Sequence, residues 1–453
     1  MNIYLNIEDS VRELDSKLLL AVLAASRNHD VIISDQESII KGLERKLLTP
    51  GIFHTKSLTP GKMKIIKHSK IIDTGCKITS IDEEGGLVDY GYERMIKLRY
   101  SAKTINQASA VFAWGPEDYK TLKKFFPNYS KKIHMTGSPR VDLWRPNFFT
   151  YWNNNFKKLN KPFLLIPSNF AAGLSMMPFY DRIEMRKKRG YFERQPEYLQ
   201  TLIQWESEQF KLISHFIEAI KHLAHKNKNY NIIVRPHPGE NVETWKILLD
   251  KIPNVKVIRD DGASMWIKNA FAILHNGCTT AIEASFFKKP IISYIPFKAY
   301  HSKKLANDLG QKVTSLNELK KEIDNIFFNN LEKKKQKKLN QPFPKIIVKK
   351  IFVDQKEIAA KKMINVWENI SNNSLSKSNN WFLFKCNLKI MKFNGILGRL
   401  LKKDGKNNNN FKFPSFEREK ILFKIEELKK ILEIKQKLNC DFLSDRTLLI
   451  KRK

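Results

Sequence analysis

Two short polar segments in the middle of the chain contain residue types that can bind a phosphate group. The first is Arg235-Pro236-His237-Pro238, where two prolines end an apolar, β-rich run and fix the loop that holds His237. At the carboxyl edge of a parallel sheet, a histidine can donate to a phosphate oxygen and stabilise the charge of a departing nucleotide. Taken by itself, His237 is more readily explained as an ordinary loop histidine.

The second segment, His275-Asn276-Gly277-Cys278-Thr279-Thr280, follows the apolar run 271–274 and leads into a predicted helix, 281–287. Gly277 permits a sharp turn, and the two threonines place hydroxyl and N–H groups at a helix N-terminus, which favours an anion. Helix capping by one threonine is the alternative. The two loops together predict a nucleotide or phosphate site formed by Arg235, Pro238, Asn276, Gly277, Thr279, Thr280 and Glu283.

A third segment, Asp82-Glu83-Glu84-Gly85-Gly86, follows the predicted strand 77–81. Clustered carboxylates raise one another's pKa, and one at a strand end can accept the proton of an attacking hydroxyl. Glu83 and Glu84 are therefore candidate catalytic bases, and His237 is the third candidate catalytic residue. The alternative for the acidic segment is a solvated turn without a catalytic role. A similar run, Asp260-Asp261-Gly262, lies in the predicted phosphate-binding domain, where activation of an acceptor would be misplaced.

The elements that must position these residues form an alternating β-α pattern. With 453 residues, 42% of them hydrophobic, the chain is long enough for two domains of about 100 to 200 residues and an extension. Short apolar runs separated by helix-length segments predict parallel strands covered by helices. The expected fold is α/β, with two Rossmann-like domains at residues 1–150 and 151–330 that face a cleft, and a basic, mainly helical extension at residues 331–453.

The predicted elements can be stated by their bounds. Strands are expected at residues 3–7, 31–34, 77–81, 108–114, 132–136, 162–167, 231–234, 255–258, 271–275 and 290–294. Helices are expected at about 11–26, near Gln36, after Pro116, within about 196–226 and at about 415–438. Residues 168–195, with the basic run 186–189, interrupt the pattern and are predicted to be an insertion loop.

Charge and cysteine content limit the classes of partner and compartment. The formal charge of +35 attracts polyanions such as nucleic acid or anionic lipid, although abundant Lys and Asn also arise from an AT-rich genome. The four cysteines, 76, 278, 386 and 440, form no C-x-x-C pair, so neither zinc nor disulfides are predicted. No apolar run reaches the roughly 18 residues of a membrane span. We expect a cytoplasmic protein.

The C-terminal region contains one amphipathic segment, residues 381–401, which mixes Trp, Phe, Ile and Leu with lysines. This pattern is typical of a helix that lies on an anionic membrane. A helix packed on its own protein is the alternative. Peripheral contact with the inner face of the cytoplasmic membrane is therefore one expectation for the extension.

Taken together, the three polar segments resemble those of bacterial surface carbohydrate biosynthesis proteins. That family is glycosyltransferase-B-like and related in motif to bacterial sialyltransferases and Kdo transferases. The resemblance spans about residues 1 to 330 and includes six segments: Arg12-Glu13-Leu14-Asp15-Ser16-Lys17, Asp82-Glu83-Glu84-Gly85, Phe112-Ala113-Trp114-Gly115, Thr136-Gly137-Ser138-Pro139-Arg140-Val141-Asp142, Arg235-Pro236-His237-Pro238 and residues 276–283.

The resemblance implies roles for several residues. In bacterial sialyltransferases an acidic D/E-D/E-G motif supplies the base, an HP motif follows, and paired hydroxyl residues hold the CMP phosphate. Here these motifs match Glu83-Glu84-Gly85, His237-Pro238 and Thr279-Thr280. Further donor or acceptor contacts are expected from Asp82, Gly85, Arg12, Lys17, Ser138 and Arg140.

The implied function is a metal-independent glycosyltransferase of surface polysaccharide or lipopolysaccharide biosynthesis. It would use no cofactor and would transfer an ulosonic acid from a CMP-linked nucleotide sugar to a glycan or lipid-linked glycan acceptor. One alternative is an enzyme that uses a CDP-polyol, and a nucleotide-sugar epimerase is another. A non-enzymatic protein that binds anionic membrane or nucleic acid would account for the charge, but no nucleic-acid-binding module is recognisable.

Overall fold

Two mainly parallel β-sheets organise the two compact units of the chain. The computed structural model describes residues 1–87, 92–154, 159–188, 190–194, 196–299, 305–332, 344–371, 379–401 and 413–453. One unit comprises Met1–Tyr151 with Pro344–Lys453, and the other comprises Trp152–Phe343. The predicted α/β class with two parallel sheets is confirmed.

The first unit begins with six strands and their connecting helices. The strands are β1 (Asn2–Asn6), β2 (Asp30–Ser34), β3 (Ile52–Thr55), β4 (Lys77–Ile81), β5 (Ala108–Ala113) and β6 (Ile133–Met135). The helices are α1 (Ser10–Ser26), α2 (Gln36–Glu44), α3 (Lys62–Asp73), α4 (Tyr92–Arg99), α5 (Ala102–Gln107), α6 (Pro116–Phe125), α7 (Pro139–Asp142) and α8 (Phe149–Asn154). These six strands are all parallel to their neighbours, in the order β2-β1-β3-β4-β5-β6.

The strand β3 was not predicted from the sequence. It is only four residues long and pairs with β1 and β4, with Phe53 buried between helices. Its short apolar run contains His54 and Thr55, which weaken the hydrophobic signal, but both side chains are buried and His54 Nδ1 lies 3.0 Å from Thr79 Oγ1. This strand therefore forms because its residues are buried in the tertiary structure, and the local sequence pattern does not predict it.

The second unit contains a six-stranded parallel sheet in the order β12-β11-β10-β7-β8-β9. Its strands are β7 (Phe163–Pro167), β8 (Asn231–Arg235), β9 (Val255–Val257), β10 (Ala272–His275), β11 (Ile291–Tyr294) and β12 (Gln311–Val313). Its helices are α9 (Phe179–Lys188), α10 (Tyr191–Arg194), α11 (Tyr198–Lys226), α12 (Val242–Leu248), α13 (Ala263–Asn269), α14 (Thr280–Phe286) and α15 (Leu316–Glu332). One apolar core joins the central strands to α11 and α15.

The segment 168–195, predicted to be an insertion loop, contains the two helices α9 and α10. Arg182 of α9 forms a double hydrogen bond with Glu206 of α11, one branch of which measures 3.2 Å. Both side chains are largely buried, so this pair holds α9 against α11. Of the predicted basic run, Arg189 lies outside the described residues.

The C-terminal residues 344–453 return to the first unit, whereas the sequence set residues 331–453 apart as an extension. They contain α16 (Lys345–Lys350), α17 (Ala359–Ile370), α18 (Trp381–Leu401), α19 (Arg418–Ile431), β13 (Leu438–Ser444) and β14 (Thr447–Arg452). The Lys-rich run 333–338 and Asn407–Asn410 lie outside the described residues. The last predicted helix is shorter than expected, and a hairpin follows it.

That hairpin extends the first sheet. β14 pairs antiparallel with β2, so that Leu449 lies opposite Ile32, and β13 forms the edge beyond it. Without β14, the backbone N–H and C=O groups of β2 would be unpaired on that side. Leu448, Leu449 and Ile450 are buried in this arrangement, which explains why the final residues belong to the unit.

The segment 381–401 is a helix, α18, as the sequence predicted. Phe384 and Leu388 are buried in the apolar cluster that also contains α2 residues, so the helix packs on its own unit. Among the described residues, no helix combines the length and apolar content needed to cross a bilayer.

Candidate functional site

In the second unit, three neighbouring strands of the sheet, β10, β7 and β8, end in polar loops on the same edge. The sequence predicted the loops after β8 and β10. The structure adds the loop after β7, because β7 lies between the other two strands. The carboxyl edge of a parallel sheet is where open α/β folds bind ligands.

Ser168 and Asn169, directly after β7, connect the two predicted loops. The backbone N–H of His237 donates to Ser168 Oγ at 3.1 Å, and Asn169 Nδ2 donates to the Gly277 carbonyl at 3.1 Å. The histidine loop and the glycine turn are therefore brought together. Neither linking residue was predicted, because nothing in the sequence shows that β7 separates β8 from β10.

The imidazole of His237 is half-buried and oriented by its own loop. The Gly239 N–H donates to His237 Nδ1 at 3.1 Å. When Nδ1 accepts a hydrogen bond, the proton of a neutral imidazole is on Nε2. The loop geometry therefore favours the tautomer that presents an N–H donor at Nε2, which suits contact with a phosphate oxygen.

Glu240, two residues beyond Pro238, anchors the histidine loop to neighbouring segments. Its buried carboxylate accepts from Phe170 N at 2.6 Å, from Trp245 Nε1 at 2.7 Å and from Ser168 Oγ. Burial raises the pKa of this carboxyl group, while these hydrogen bonds oppose the rise. Glu240 was not predicted from the sequence, although an acidic residue directly after Pro-His-Pro-Gly could have indicated a buried carboxylate that supports the loop.

Arg235 has a structural role that the sequence did not predict. Its guanidinium is buried and donates to the Asp260 carbonyl at 2.6 Å and to the Asp261 carbonyl. Burial lowers the pKa of Arg235 to about 10, although the negative charge of Asp261 acts to raise it. The side chain thereby joins the end of β8 to the loop after β9. Its predicted contact with a phosphate stays a prediction beside this supporting role.

The turn after β10 is held by hydrogen bonds within the second unit. Gly277 has φ 63°, the left-handed region that favours glycine, and its N–H donates to Asn307 Oδ1 at 2.6 Å. Asn276 Nδ2 donates to the Tyr294 carbonyl at 2.7 Å. Asn276 and Gly277 therefore shape the turn, rather than offering these groups to a ligand.

The two threonines occupy the start of α14. Thr279 is exposed at the N-cap position and its side chain makes no capping hydrogen bond, so the capping alternative does not describe it. Thr280 is half-buried, and its hydroxyl donates to Cys278 Sγ at 3.0 Å. Thr279 is therefore the threonine of the pair with the more accessible side chain.

The remaining predicted phosphate residues have internal partners. Glu283 is buried and accepts from Ser264 Oγ at 2.8 Å, which joins α14 to α13. Its predicted contact with a nucleotide stays a prediction, although a buried carboxylate that is ionised would repel a phosphate. The Pro238 carbonyl accepts from Arg259 at 2.7 Å, which gives the histidine loop another anchor.

In the first unit, the acidic turn after β4 contains three carboxylates in three different environments. Asp82 is buried and accepts two hydrogen bonds from Arg99, at 2.5 and 2.7 Å. Burial raises the pKa of Asp82, while the hydrogen bonds and charge of Arg99 oppose the rise. The backbone N–H of Glu84 also donates to Asp82 at 3.0 Å. Asp82 therefore shapes the turn, and its predicted ligand contact stays a prediction.

Glu83 forms a buried ion pair with Lys17 of α1. The two side chains are 7% and 1% exposed, and Lys17 Nζ lies 2.9 Å from Glu83 Oε1. This pair joins α1 to the turn after β4 across 66 residues of sequence. Each side chain thus has its charged partner within the unit. The predicted roles of Glu83 as a base and of Lys17 as a ligand contact stay predictions.

Glu84 is the accessible carboxylate of the turn, with a side chain that is 49% exposed. It is held between two arginines, Arg12 at 2.5 Å and Arg99 at 3.1 Å. Burial alone would raise the pKa of Glu84, but the positive charges of Arg99 and Arg12 outweigh it and lower the pKa. The exposed faces of Arg12 and Glu84 therefore lie together at the surface of the turn.

Gly85 and Gly86 allow the turn to lie against Trp114. A Cβ atom would stand 2.7 Å from Trp114 at Gly85 and 2.5 Å at Gly86, closer than real contacts permit. The indole N–H of Trp114 donates to the Asp82 carbonyl at 2.6 Å. Gly85 is therefore needed for close packing, and its predicted ligand contact stays a prediction.

Arg140 and Ser138 support the same turn. Arg140 donates to the Glu83 carbonyl at 3.0 Å and lies against the rings of Trp114 and Trp144. Ser138 caps α7 by accepting from the N–H of Arg140. Both residues were predicted to contact donor or acceptor. The structure shows positioning roles for both, and the predicted contacts stay predictions.

Glu13 of α1 is a further member of this cluster that the sequence analysis did not single out. It is buried and accepts from the N–H groups of Glu8 and Asp9, at 3.3 and 3.2 Å. Burial and the nearby charge of Glu83 raise its pKa to about 7. Lys64 is the converse case, since burial and the charge of Lys56 lower its pKa to about 8. Two groups thus titrate near neutrality around the acidic turn.

Comparisons with known proteins give similar folds at low similarity. No protein-family model matches the chain, and neither does any curated protein. An S. aureus MnaA–UDP co-structure is 12% identical, covers 82% of this chain and 97% of its own, and has a TM-score of 0.46. The Neisseria meningitidis UDP-GlcNAc 2-epimerase bound to UDP-GlcNAc is 13% identical, covers 82% and 100%, and scores 0.42. E. coli ADP-heptose LPS heptosyltransferase II is 10% identical, covers 73% and 99%, and scores 0.35. Similarity at this level does not identify an activity.

Proposed function

We propose that this protein is a glycosyltransferase that uses a nucleotide sugar for surface carbohydrate synthesis. The observation that carries the proposal is the junction at the carboxyl edge of the second sheet. There Ser168 and Asn169 hold the His237 loop and the Gly277 turn together. Such an edge, with an imidazole donor and a hydroxyl-rich turn, suits the phosphate of a nucleotide.

On the donor side, we assign three residues to the phosphate. His237 Nε2 donates to the phosphate and stabilises the negative charge that grows as the nucleotide departs. The hydroxyl group of Thr279 donates to another phosphate oxygen, and the Thr280 hydroxyl does the same when it exchanges its bond to Cys278 Sγ for the ligand. The tautomer of His237 and the exposure of Thr279 support these roles.

On the acceptor side, we assign Glu84 as the base in place of the pair Glu83 and Glu84. Its exposure decides the choice, because Glu83 is buried against Lys17. With its pKa held low by arginines, Glu84 stays ionised at neutral pH but is a weak base. An anionic acceptor that drew Arg12 toward itself would strengthen Glu84 as a base.

The finer donor assignment is an ulosonic acid linked to CMP. It is supported by the match of His237-Pro238 and Thr279-Thr280 to the sialyltransferase motifs. The acceptor would be a glycan or lipid-linked glycan at the inner face of the membrane. A single displacement by the acceptor hydroxyl would invert the anomeric configuration. The proposed reaction requires neither metal nor cofactor, and should therefore continue in EDTA.

The first test asks which nucleotide stabilises the protein against thermal unfolding. A ligand that binds only the folded state at 100 times its Kd contributes about 2.7 kcal/mol. We expect CMP and CTP to raise Tm more than UMP, UDP, ADP or GDP. A preference for UDP or ADP would contradict the CMP assignment while leaving the nucleotide site in place. No stabilisation by any nucleotide would contradict the site itself.

The second test measures nucleotide release from donor sugars with and without glycan acceptors. His237→Ala should lower kcat about 100-fold or more. His225→Ala, an exposed histidine on α11, is the matched control and should be unchanged. Formation of a sugar isomer without acceptor would identify an epimerase, and polyol phosphate transfer would identify the CDP-polyol class. Either product, or full activity in His237→Ala, would contradict the proposal.

A further inference from the structure

Helix α18 presents two apolar faces, and the first unit covers one of them. Phe384 and Leu388 are buried in the core of that unit. Phe382 and Phe393, by contrast, are 74% and 64% exposed, and Leu383 and Ile390 are exposed beside them. We call these four exposed residues the outer face of α18.

The spacing of the outer face follows the helical repeat. Phe382, Ile390 and Phe393 occupy positions i, i+8 and i+11, which lie on one side of an α-helix. Such a continuous apolar stripe differs from the scattered exposed apolar residues that every protein surface carries. The stripe is therefore a surface adapted to an apolar environment.

The charges on α18 indicate which environment that is. Lys385, Lys389 and Lys392 are exposed along one border of the outer face, and the sequence of the helix contains no acidic residue. Lys392 pairs with Asp445 at 3.1 Å, which leaves Lys385 and Lys389 as the main charges of the border. A second copy of this chain would bring the same lysines, in a protein of net charge +35, against one another. An anionic surface would instead be attracted.

We propose that the outer face of α18 docks the protein on an anionic lipid membrane. The helix would lie in the membrane plane, with Phe382, Ile390 and Phe393 inserted at the headgroup boundary and the lysines near lipid phosphates. Its buried face would remain packed on the first unit. The docking does not depend on the proposed transferase activity, because it uses none of the residues assigned to that reaction.

Flotation of the full chain with lipid vesicles tests this docking. The wild type should float with vesicles of phosphatidylcholine and phosphatidylglycerol, and much less with phosphatidylcholine alone. Phe382→Ser/Phe393→Ser should reduce the bound fraction about tenfold, since two large apolar side chains are lost from the interface. Phe210→Ser/Phe328→Ser is the matched control, because these exposed phenylalanines lie in the second unit. It should bind like the wild type.

A second variant tests the charges independently of the apolar side chains. Lys385→Gln/Lys389→Gln should weaken binding to the anionic vesicles about tenfold, and added salt should weaken the wild type in the same direction. Nucleotide release with a soluble acceptor should be unchanged in both variants, which separates docking from catalysis.

Three results would overturn the proposal. One is equal flotation of the wild type, the phenylalanine variant and the lysine variant. Another is equal binding of the wild type to both kinds of vesicle. The third is a dimeric wild type whose phenylalanine variant is monomeric, because the outer face would then join two copies of the chain.

Discussion

Asn169 Nδ2 donates to the carbonyl of Gly277 over 3.1 Å, across 108 residues of sequence. This bond places the end of β7 under the turn after β10, while Ser168 supports the histidine loop of β8. The proposed phosphate site, which two distant loops would form, thus depends on a third loop between them.

Asn169→Ala should weaken nucleotide binding more than it weakens folding. The loss of one hydrogen bond costs about 1 kcal/mol of stability, while release of the Gly277 turn should lower nucleotide affinity about tenfold. Calorimetric titration with the stabilising nucleotide measures the affinity, and urea unfolding measures the stability. Asn229→Ala, an exposed asparagine after α11, is the control. Unchanged affinity in Asn169→Ala would show that the link does not shape the site.

Glu84→Gln should lower the transfer rate about 100-fold or more, because the amide cannot accept the proton of the acceptor hydroxyl. The stability should fall by less than about 1 kcal/mol, since the carboxylate is half exposed. The low pKa of Glu84 in the free protein also predicts that the acidic limb of kcat/KM lies below the usual range for glutamate. Glu93→Gln, another exposed glutamate, is the control. Wild-type rates in Glu84→Gln would exclude it as the base.

Lys17→Met should destabilise the first unit by about 3 to 5 kcal/mol, because it leaves Glu83 buried without its charged partner. Lys17→Met/Glu83→Leu should recover much of that loss, because neither charge of the pair remains. The exposed pair Lys70 and Glu44, whose charged atoms lie 3.0 Å apart, provides the matched double-mutant cycle. We expect its coupling free energy to be about 1 kcal/mol or less. Urea unfolding measures the wild type and, for each pair, the two single variants and the double variant. Equal coupling in both pairs would contradict the role of burial.

The pKa of Glu13 predicts how stability depends on pH. Burial, and then the charge of Glu83, raise this pKa from 4.5 to about 7 in the folded protein, whereas Lys17 and Lys56 lower it. The folded state therefore keeps a proton that the unfolded chain loses above its own pKa. The stabilisation from Glu13 is complete below pH 4.5 and is lost as the pH rises to about 7.

Glu13→Gln should therefore remove part of the decline in stability between pH 4.5 and 7, on the order of 3 kcal/mol. Asp142, whose pKa burial raises to about 6, contributes in the same window and should account for part of what remains. Urea unfolding across this range measures the change. Glu37→Gln, on the exposed side of α2, should leave the slope as in the wild type. An unchanged slope in Glu13→Gln would contradict the raised pKa.

Most strands and helices followed from local patterns in the sequence. The run Lys77–Ile81 is β4 as predicted, and 108–114 is β5 to within one residue, because buried parallel strands are short and continuously apolar. The C-terminal hairpin was missed, since β13 and β14 follow a long Lys- and Asn-rich region. Their pairing beside β2 depends on an unpaired strand edge that lies far away in the sequence.

For the sites, the sequence by itself determined which loops follow the strand ends and which reactive residues they contain. The tertiary structure decided their roles. Glu83 and Glu84 are adjacent in the sequence, yet one is buried against Lys17 and the other is half exposed between two arginines. Arg235 likewise supports a neighbouring loop. Burial and distant partners determine the charge of a side chain and its accessibility to a ligand. Burial and such partners arise only when segments remote in the sequence pack together.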